Sequence, residues 1–248
     1  FLLTNDPLEA VAGADFIYGQ GLTTVFILQD KTAYGQGIAD EFKKRFEAIG
    51  GTVLGYEGIT AGEADFSAVE EMIRASGAEA VYFGGIYPEG GLLIKQLDEK
   101  GIDVLFLGPD GMDSAELVNI AGDAVIGTYY TSVAADVSNT EKGSVFAADY
   151  KTKYGHAPEA FSAYGYDAMN VTLDAVKAAI SGNGGALPTR EQVATAVRAI
   201  KDFKGLATNV SFNDIGDNTE ATIYVLGFET AAYPPVAIKS IPAADYLK

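Results

Sequence analysis

The chain has 248 residues, 48% hydrophobic and 21% charged, which suits one large or two smaller packed domains and excludes a disordered chain. A formal net charge of −17 speaks against nucleic acid and anionic membranes, and the absence of Cys rules out disulfides, thiolate metal sites and cysteine nucleophiles. No apolar run approaches the ~18 residues of a membrane span, so no membrane insertion is expected.

The first half alternates strand and helix. A helix is predicted over Leu8–Tyr18, followed by a β-branched apolar strand at 24–29. Ile38, Phe42, Phe46 and Ile49 form one face of a helix over 35–49, and 53–57 is the next strand. Phe66, Val69, Met72 and Ile73 mark a helix that Gly77 would end. Strand 79–84 precedes a helix opened by Pro88, carrying Leu93 and Leu97, and closed by Gly101. After strand 103–107, Asp113 with Glu116 resembles a capping box for a short helix ending near Gly122, and 125–131 is the fifth strand. Five strands spaced by helices predict an α/β fold with a doubly wound parallel sheet, and their continuous apolar runs fit burial of both faces.

The pattern changes near residue 132. Ala134–Asn139 is polar, a candidate crossing point. Three helices follow: one with Phe146, Tyr150 and Tyr154 ending at Gly155; a long one with Tyr166, Met169, Leu173, Val176 and Ile180 on one face; and one opened by a Thr189–Gln192 capping box, with Val193, Val197 and Ile200. Strand-like runs at 208–212 and 222–228, separated by NDIGDN, predict a hairpin. Three amphipathic helices need a sheet to cover, and this part of the chain offers at most that hairpin.

Six stretches carry a resemblance: DKTAYGQGIADEFKK (30–44), GITAGEADFSAV (58–69), AVYFGG (80–85), FLGPDGMDS (106–114), AGDAVIGTYYTS (121–132) and YKTKYGHAPEAFSAYGYDA (150–168). In order and spacing they resemble the leucine/isoleucine/valine-binding family of type I periplasmic solute-binding proteins. The resemblance implies two lobes with the ligand in a cleft between them. It assigns 7–132 to the C-terminal-type ligand-binding lobe, 133–205 to the helical part of the N-terminal-type lobe, and 206–248 to crossing segments and terminal strands. The opening segment of the family, with most of the first lobe's sheet, has no counterpart here. A truncation, one piece of a split protein and an engineered chain all fit that gap, as does another chain or copy completing the lobe.

Ligands of doubly wound sheets bind beyond the carboxyl ends of the strands, where 30–37, 84–89 and 108–113 should line one rim. The resemblance implies that Asp110 holds a ligand ammonium and that Tyr34 faces the ligand. Without the resemblance Pro-Asp-Gly reads as a turn, and Tyr34 could plug a strand–helix turn. Ile86 stands where the family often has Tyr, so Tyr87 takes over or a hydroxyl is lost. Phe161 matches a family side-chain contact and Tyr164 lies beside it, though both also fit a core role, and Tyr166 reads as core. Glu89 reads as a first-turn helix charge, and Glu70/Glu71 as a solvated face.

No enzyme is expected. His156 sits in a loop past a helix end, GQG at 35–37 lacks the third glycine of a dinucleotide loop because position 40 is Asp40, and no P-loop, metal cluster or other cofactor site is visible. The function implied is capture of a small amino acid, aliphatic or branched-chain, for an ABC permease in the periplasm, or from a lipid anchor in a Gram-positive cell. The rivals are a ligand-sensing regulator or receptor domain on the same fold, and a fragment that keeps the fold without binding.

Overall fold

The computed structural model describes residues 2–3, 5–138 and 140–246. They divide into two compact units, one formed by residues 5–133 with 223–241, the other built around 134–222. Asn139, in the predicted crossing, and the last two residues of the 206–248 segment lie outside the described residues.

The first unit starts with α1 (Asp6–Gly19), capped by the Asn5 side chain, which accepts the Leu8 N–H. Then follow β1 (Thr24–Gln29), α2 (Ala33–Ala48), β2 (Thr52–Gly58), α3 (Ser67–Ser76), β3 (Ala80–Gly84), α4 (Tyr87–Glu99), β4 (Leu105–Gly108), α5 (Ala115–Ala121) and β5 (Tyr129–Ser132). All five strands run parallel, in the order β2-β1-β3-β4-β5. Alternation along each strand feeds two apolar layers. Phe26, Leu28, Val81 and Phe83 pack with Ile73 of α3 and Leu93 and Leu97 of α4. Val25, Ile27 and Tyr82 pack on the other face with Ile17 of α1 and Ile38, Phe42 and Phe46 of α2. Gly77 ends α3 in the left-handed conformation, as expected.

Three local expectations change. The predicted strand 125–131 begins only at Tyr129, because 122–125 form a 3₁₀ turn and Gly127 takes a positive φ. The cap of α5 is Ser114, whose hydroxyl accepts the Glu116 N–H, because the Asp113 carboxylate is held elsewhere by tyrosines. Glu70 is buried, not solvated, and neither of its oxygens has a hydrogen-bond partner; burial raises its carboxyl above the usual range.

The second unit contains α6 (Glu141–Tyr154), α7 (Ala160–Gly182) and α8 (Arg190–Arg198), then the short antiparallel pair β6 (Phe203–Lys204) and β7 (Asn209–Val210). Gly155 ends α6, and Thr189 with Gln192 forms the capping box of α8. On α7 the buried face is Ala163, Tyr164, Asp167, Val171, Ala175 and Ala179. The bulky stripe of the sequence pattern turns outward, with Tyr166, Met169 and Leu173 exposed, so Tyr166 is not core. Small residues let the 203–210 segment approach, and Asp167 fixes it by accepting the N–H groups of Leu206, Ala207 and Thr208. Phe146, Tyr150, Tyr154 and Tyr166 line a groove of about 1010 Å³ on this unit.

The chain then returns to the first sheet as β8 (Thr222–Gly227), antiparallel to β5, with β9 (Val236–Pro242) outside it. The predicted hairpin of 208–212 with 222–228 is therefore not formed; Phe212 instead bridges Asn218, at the end of the NDIGDN turn. Ile223 and Val225 are fully buried, and the open edge at β5 offers both the ladder and an apolar layer that a lone hairpin lacks. Among the described residues no helix is long and apolar enough to cross a membrane.

Phe42 stacks on Tyr82 at 3.8 Å between ring centroids and on Phe46 at 5.6 Å, with no exposed surface. Phe42→Ala should lower unfolding stability by ~3–5 kcal/mol through lost burial and the cavity left behind. Urea unfolding of both proteins measures this, and a loss under ~1 kcal/mol would contradict the packing described.

Candidate functional site

The carboxyl ends of the parallel strands carry three loops. After β1, Asp30 accepts the Thr32 backbone N–H at 2.9 Å and its hydroxyl at 2.6 Å, and Thr32 in turn caps α2 through the Gly35 N–H. Gly35 is required there: a Cβ would collide with the Asp30 carboxylate and the Gly84 carbonyl. The first turn of α2 is thus pressed against the end of β3, which sets Tyr34 over the neighbouring loop.

That loop is the 3₁₀ turn Asp110–Met112 following β4. The Tyr34 hydroxyl donates to Asp110 Oδ1 at 2.7 Å and accepts the Gly111 N–H at 3.2 Å. A Cβ on Gly111 would lie 2.9 Å from Ile86 Cγ2, so the turn also touches the loop after β3. Tyr34, Ile86 and Asp110 therefore come together on one rim. Ile86 remains 41% exposed, whereas Tyr87 turns into the apolar layer beneath α4. Phe161 and Tyr164 belong to the second unit. Tyr164 is buried beside Ala134 and Ala160, its hydroxyl oxygen accepting the Ala135 N–H at 3.3 Å; Phe161 lies half-exposed in the first turn of α7.

Two carboxylates that were not among the candidate site residues complete the rim. Glu9 of α1 has no exposed surface, and its Oε1 accepts the Asp110 N–H at 2.6 Å and the Thr131 hydroxyl at 2.9 Å. Its signal was present in the sequence: Glu9, Gly13, Phe16 and Ile17 lie on one helical face, and the rest of that face is small or apolar. Asp113 accepts from the Tyr130 and Tyr233 hydroxyls at 2.9 Å each, and from Ser132 at 3.3 Å. Nothing in the sequence pairs Asp113 with Tyr233, 120 residues away. Glu89 does lie in the first turn of α4, but it is buried and accepts the Gly62 N–H at 2.6 Å, which ties down the loop after β2.

The electrostatics of the rim are one-sided. Burial raises the Glu9 and Asp110 carboxyls above the usual range, and the negative charges of Asp110 and Asp6 add to this at Glu9. Burial, then the Asp110 and Glu9 charges, push the Tyr34 hydroxyl up as well. Among the described residues no Lys or Arg forms an ion pair with these acids. No group of three or more acidic or His side chains there could hold a metal ion. A half-buried carboxylate fixed by a tyrosine and lacking a positive partner can accept a charge-assisted hydrogen bond from a cation.

Comparison with known proteins gives a consistent picture. A family model described as periplasmic binding protein matches residues 1–231. A Leu/Ile/Val-binding protein homolog from Brucella abortus is 37% identical over 193 residues, covering 78% of this chain and 50% of the relative. A leucine-, isoleucine-, valine-, threonine- and alanine-binding protein from Pseudomonas aeruginosa is 36% identical over 203 residues, 81% of this chain and 52% of its own. The crystal structure of a leucine binding protein from Thermotoga maritima superposes with a TM-score of 0.85 at 29% identity, over 98% of this chain and 68% of that one. The chain thus spans about half the length of the curated relatives it matches.

Asp113 supplies a pH test of the rim. Burial lifts its carboxyl to about 6 from the ordinary 3.8, against the lowering effect of its three hydroxyl donors. The folded chain therefore holds a proton there that the unfolded chain releases between these values. Stability from this group is greatest below about pH 4 and falls as pH rises to about 6. Asp113→Asn, which keeps the acceptor for both tyrosines, should remove that part of the slope. Thermal unfolding of both proteins across this range measures it, and parallel profiles would refute the assignment.

Proposed function

The chain belongs to the periplasmic binding protein family, and from that premise we propose that it captures a small aliphatic amino acid of the leucine, isoleucine and valine class. The names of the relatives support this ligand class. In this reading Asp110 accepts the ligand's ammonium, Tyr34 fixes the carboxylate and packs against the ligand, and Ile86 offers an apolar contact. Phe161 and Tyr164 enter through the resemblance alone. No bond is made or broken; the bound amino acid is handed to an ABC permease outside the cytoplasmic membrane.

The observation that carries the proposal is the Asp110 carboxylate, held by Tyr34 at the carboxyl end of a parallel sheet with, among the described residues, no Lys or Arg paired with it. The outward stripe Tyr166, Met169 and Leu173 supports a further part of it: strands of a family-length protein cover this face, supplied by the same polypeptide or by another chain.

Calorimetry with L-leucine tests the ligand. Asp110→Ala should weaken binding by ~2–5 kcal/mol, because the ammonium is left buried and unpaired. The deaminated analogue 4-methylpentanoate should bind weakly to the wild-type chain and be indifferent to the substitution. Equal leucine affinities for wild type and Asp110→Ala would remove Asp110 from the site.

A further inference from the structure

Glu9 is an ionisable side chain with no exposed surface whose chemistry ligand capture has not yet used. Its Oε1 takes two donors, the Asp110 N–H and the Thr131 hydroxyl, while Oε2 has no hydrogen-bond partner. The groups facing it from the surrounding elements are Asp6 on α1, Tyr34 on α2, Tyr82 on β3, Asp110 after β4 and Thr131 on β5. None is a cation, and the hydroxyl of Tyr82, buried like Oε2, also has no partner. An ionised Glu9 would be a buried carboxylate beside two further acids, which is among the most unfavourable arrangements a protein interior offers.

The two carboxyls of Glu9 and Asp110 are linked through one backbone N–H, yet their surroundings differ. Asp110 is half-exposed and receives the Tyr34 hydroxyl; Glu9 is sealed. Charge on the more exposed Asp110 and the proton on the sealed Glu9 is the arrangement that costs least. Such a pair titrates as a unit, and a positive charge arriving at Asp110 makes the second ionisation easier.

We propose that Glu9 is a positioning residue for Asp110, and that it releases its proton to solvent when a cation docks on Asp110. This rests on the reading of Asp110 as the ammonium site. Glu9 holds the turn through the Asp110 N–H in both states. In the free protein its proton limits the Glu9–Asp110 pair to one negative charge; in the bound state the ligand's positive charge replaces that proton, so charge is conserved across the step. The free protein carries one more proton on the pair than the complex, so affinity rises with pH between the free and bound titrations of Glu9, by up to about tenfold per pH unit. Glu9→Gln offers the same acceptor to Asp110 and Thr131 in the same shape but has no proton to lose.

Two measurements on the intact chain decide this. Infrared spectra of the free protein should contain a protonated-carboxyl carbonyl band that Glu9→Gln removes. Leucine calorimetry in two buffers of different ionisation heat should show proton release for wild type and none for Glu9→Gln, whose affinity should be flat over the pH range in which wild type tightens. A missing band, or proton release by Glu9→Gln equal to wild type, would overturn the proposal. If the band is present but the wild-type chain binds no leucine at any pH, the amino-acid reading falls, and the coupling with it, on grounds separate from the state of Glu9.

Discussion

Glu9 and Asp110 bring two carboxyls into one hydrogen-bonded cluster at the end of the parallel strands, with the Asp6 carboxylate nearby and, among the described residues, no basic side chain paired with them. Burying acids without a counter-charge works against folding, so a protein that keeps such a group is storing an unmet electrostatic demand. Asp167, in the second unit, makes the contrast plain. It too is fully buried, but three backbone N–H groups satisfy it, and it holds a turn in place. The rim acids are less completely satisfied, and an ammonium would supply what they lack.

The geometry that presents Asp110 depends on backbone approaching backbone. Gly35 and Gly84 each occupy a position where a Cβ would strike the other's segment, so α2 can begin tight against the end of β3. Tyr34 then reaches Asp110 in place of solvent. Beneath it, two apolar layers cover both faces of the sheet and fix the strand ends that carry the loops. The rim is polar and acidic; the support below it is closely packed and apolar.

The second unit solves a different problem with fewer means. Its long helix α7 buries four alanines along with Tyr164, Asp167 and Val171, sets Val171 against the two-strand ladder, and leaves its bulkier side chains outward. A stripe of Tyr166, Met169 and Leu173 has helical spacing for a partner, but within this unit the close approach of the 203–210 segment needed the small face instead. Helical periodicity states which residues share a face and not which of two apolar faces meets the neighbouring element.

What the sequence determined by itself was whatever is written in local order. The alternation of apolar runs and helical faces set the five parallel strands and their helices, because burial on both sides of a sheet leaves a direct trace in composition. Gly77, Gly155 and the Thr189–Gln192 pair marked helix ends through backbone chemistry that needs no distant partner. The place of Asp110 at a strand's end, and its meeting with Tyr34 and Ile86, followed from strand order together with the family's pattern. Tertiary structure alone decided the rest. It joined Glu9 to Asp110 across 101 residues and Asp113 to Tyr233 across 120, buried Glu70, sent β8 to the edge of β5 and not to a hairpin, and turned the bulky face of α7 outward. Each of these outcomes depends on which surface is free to receive a segment once the others have packed, and that is a property of the assembled chain, which no window of its sequence contains.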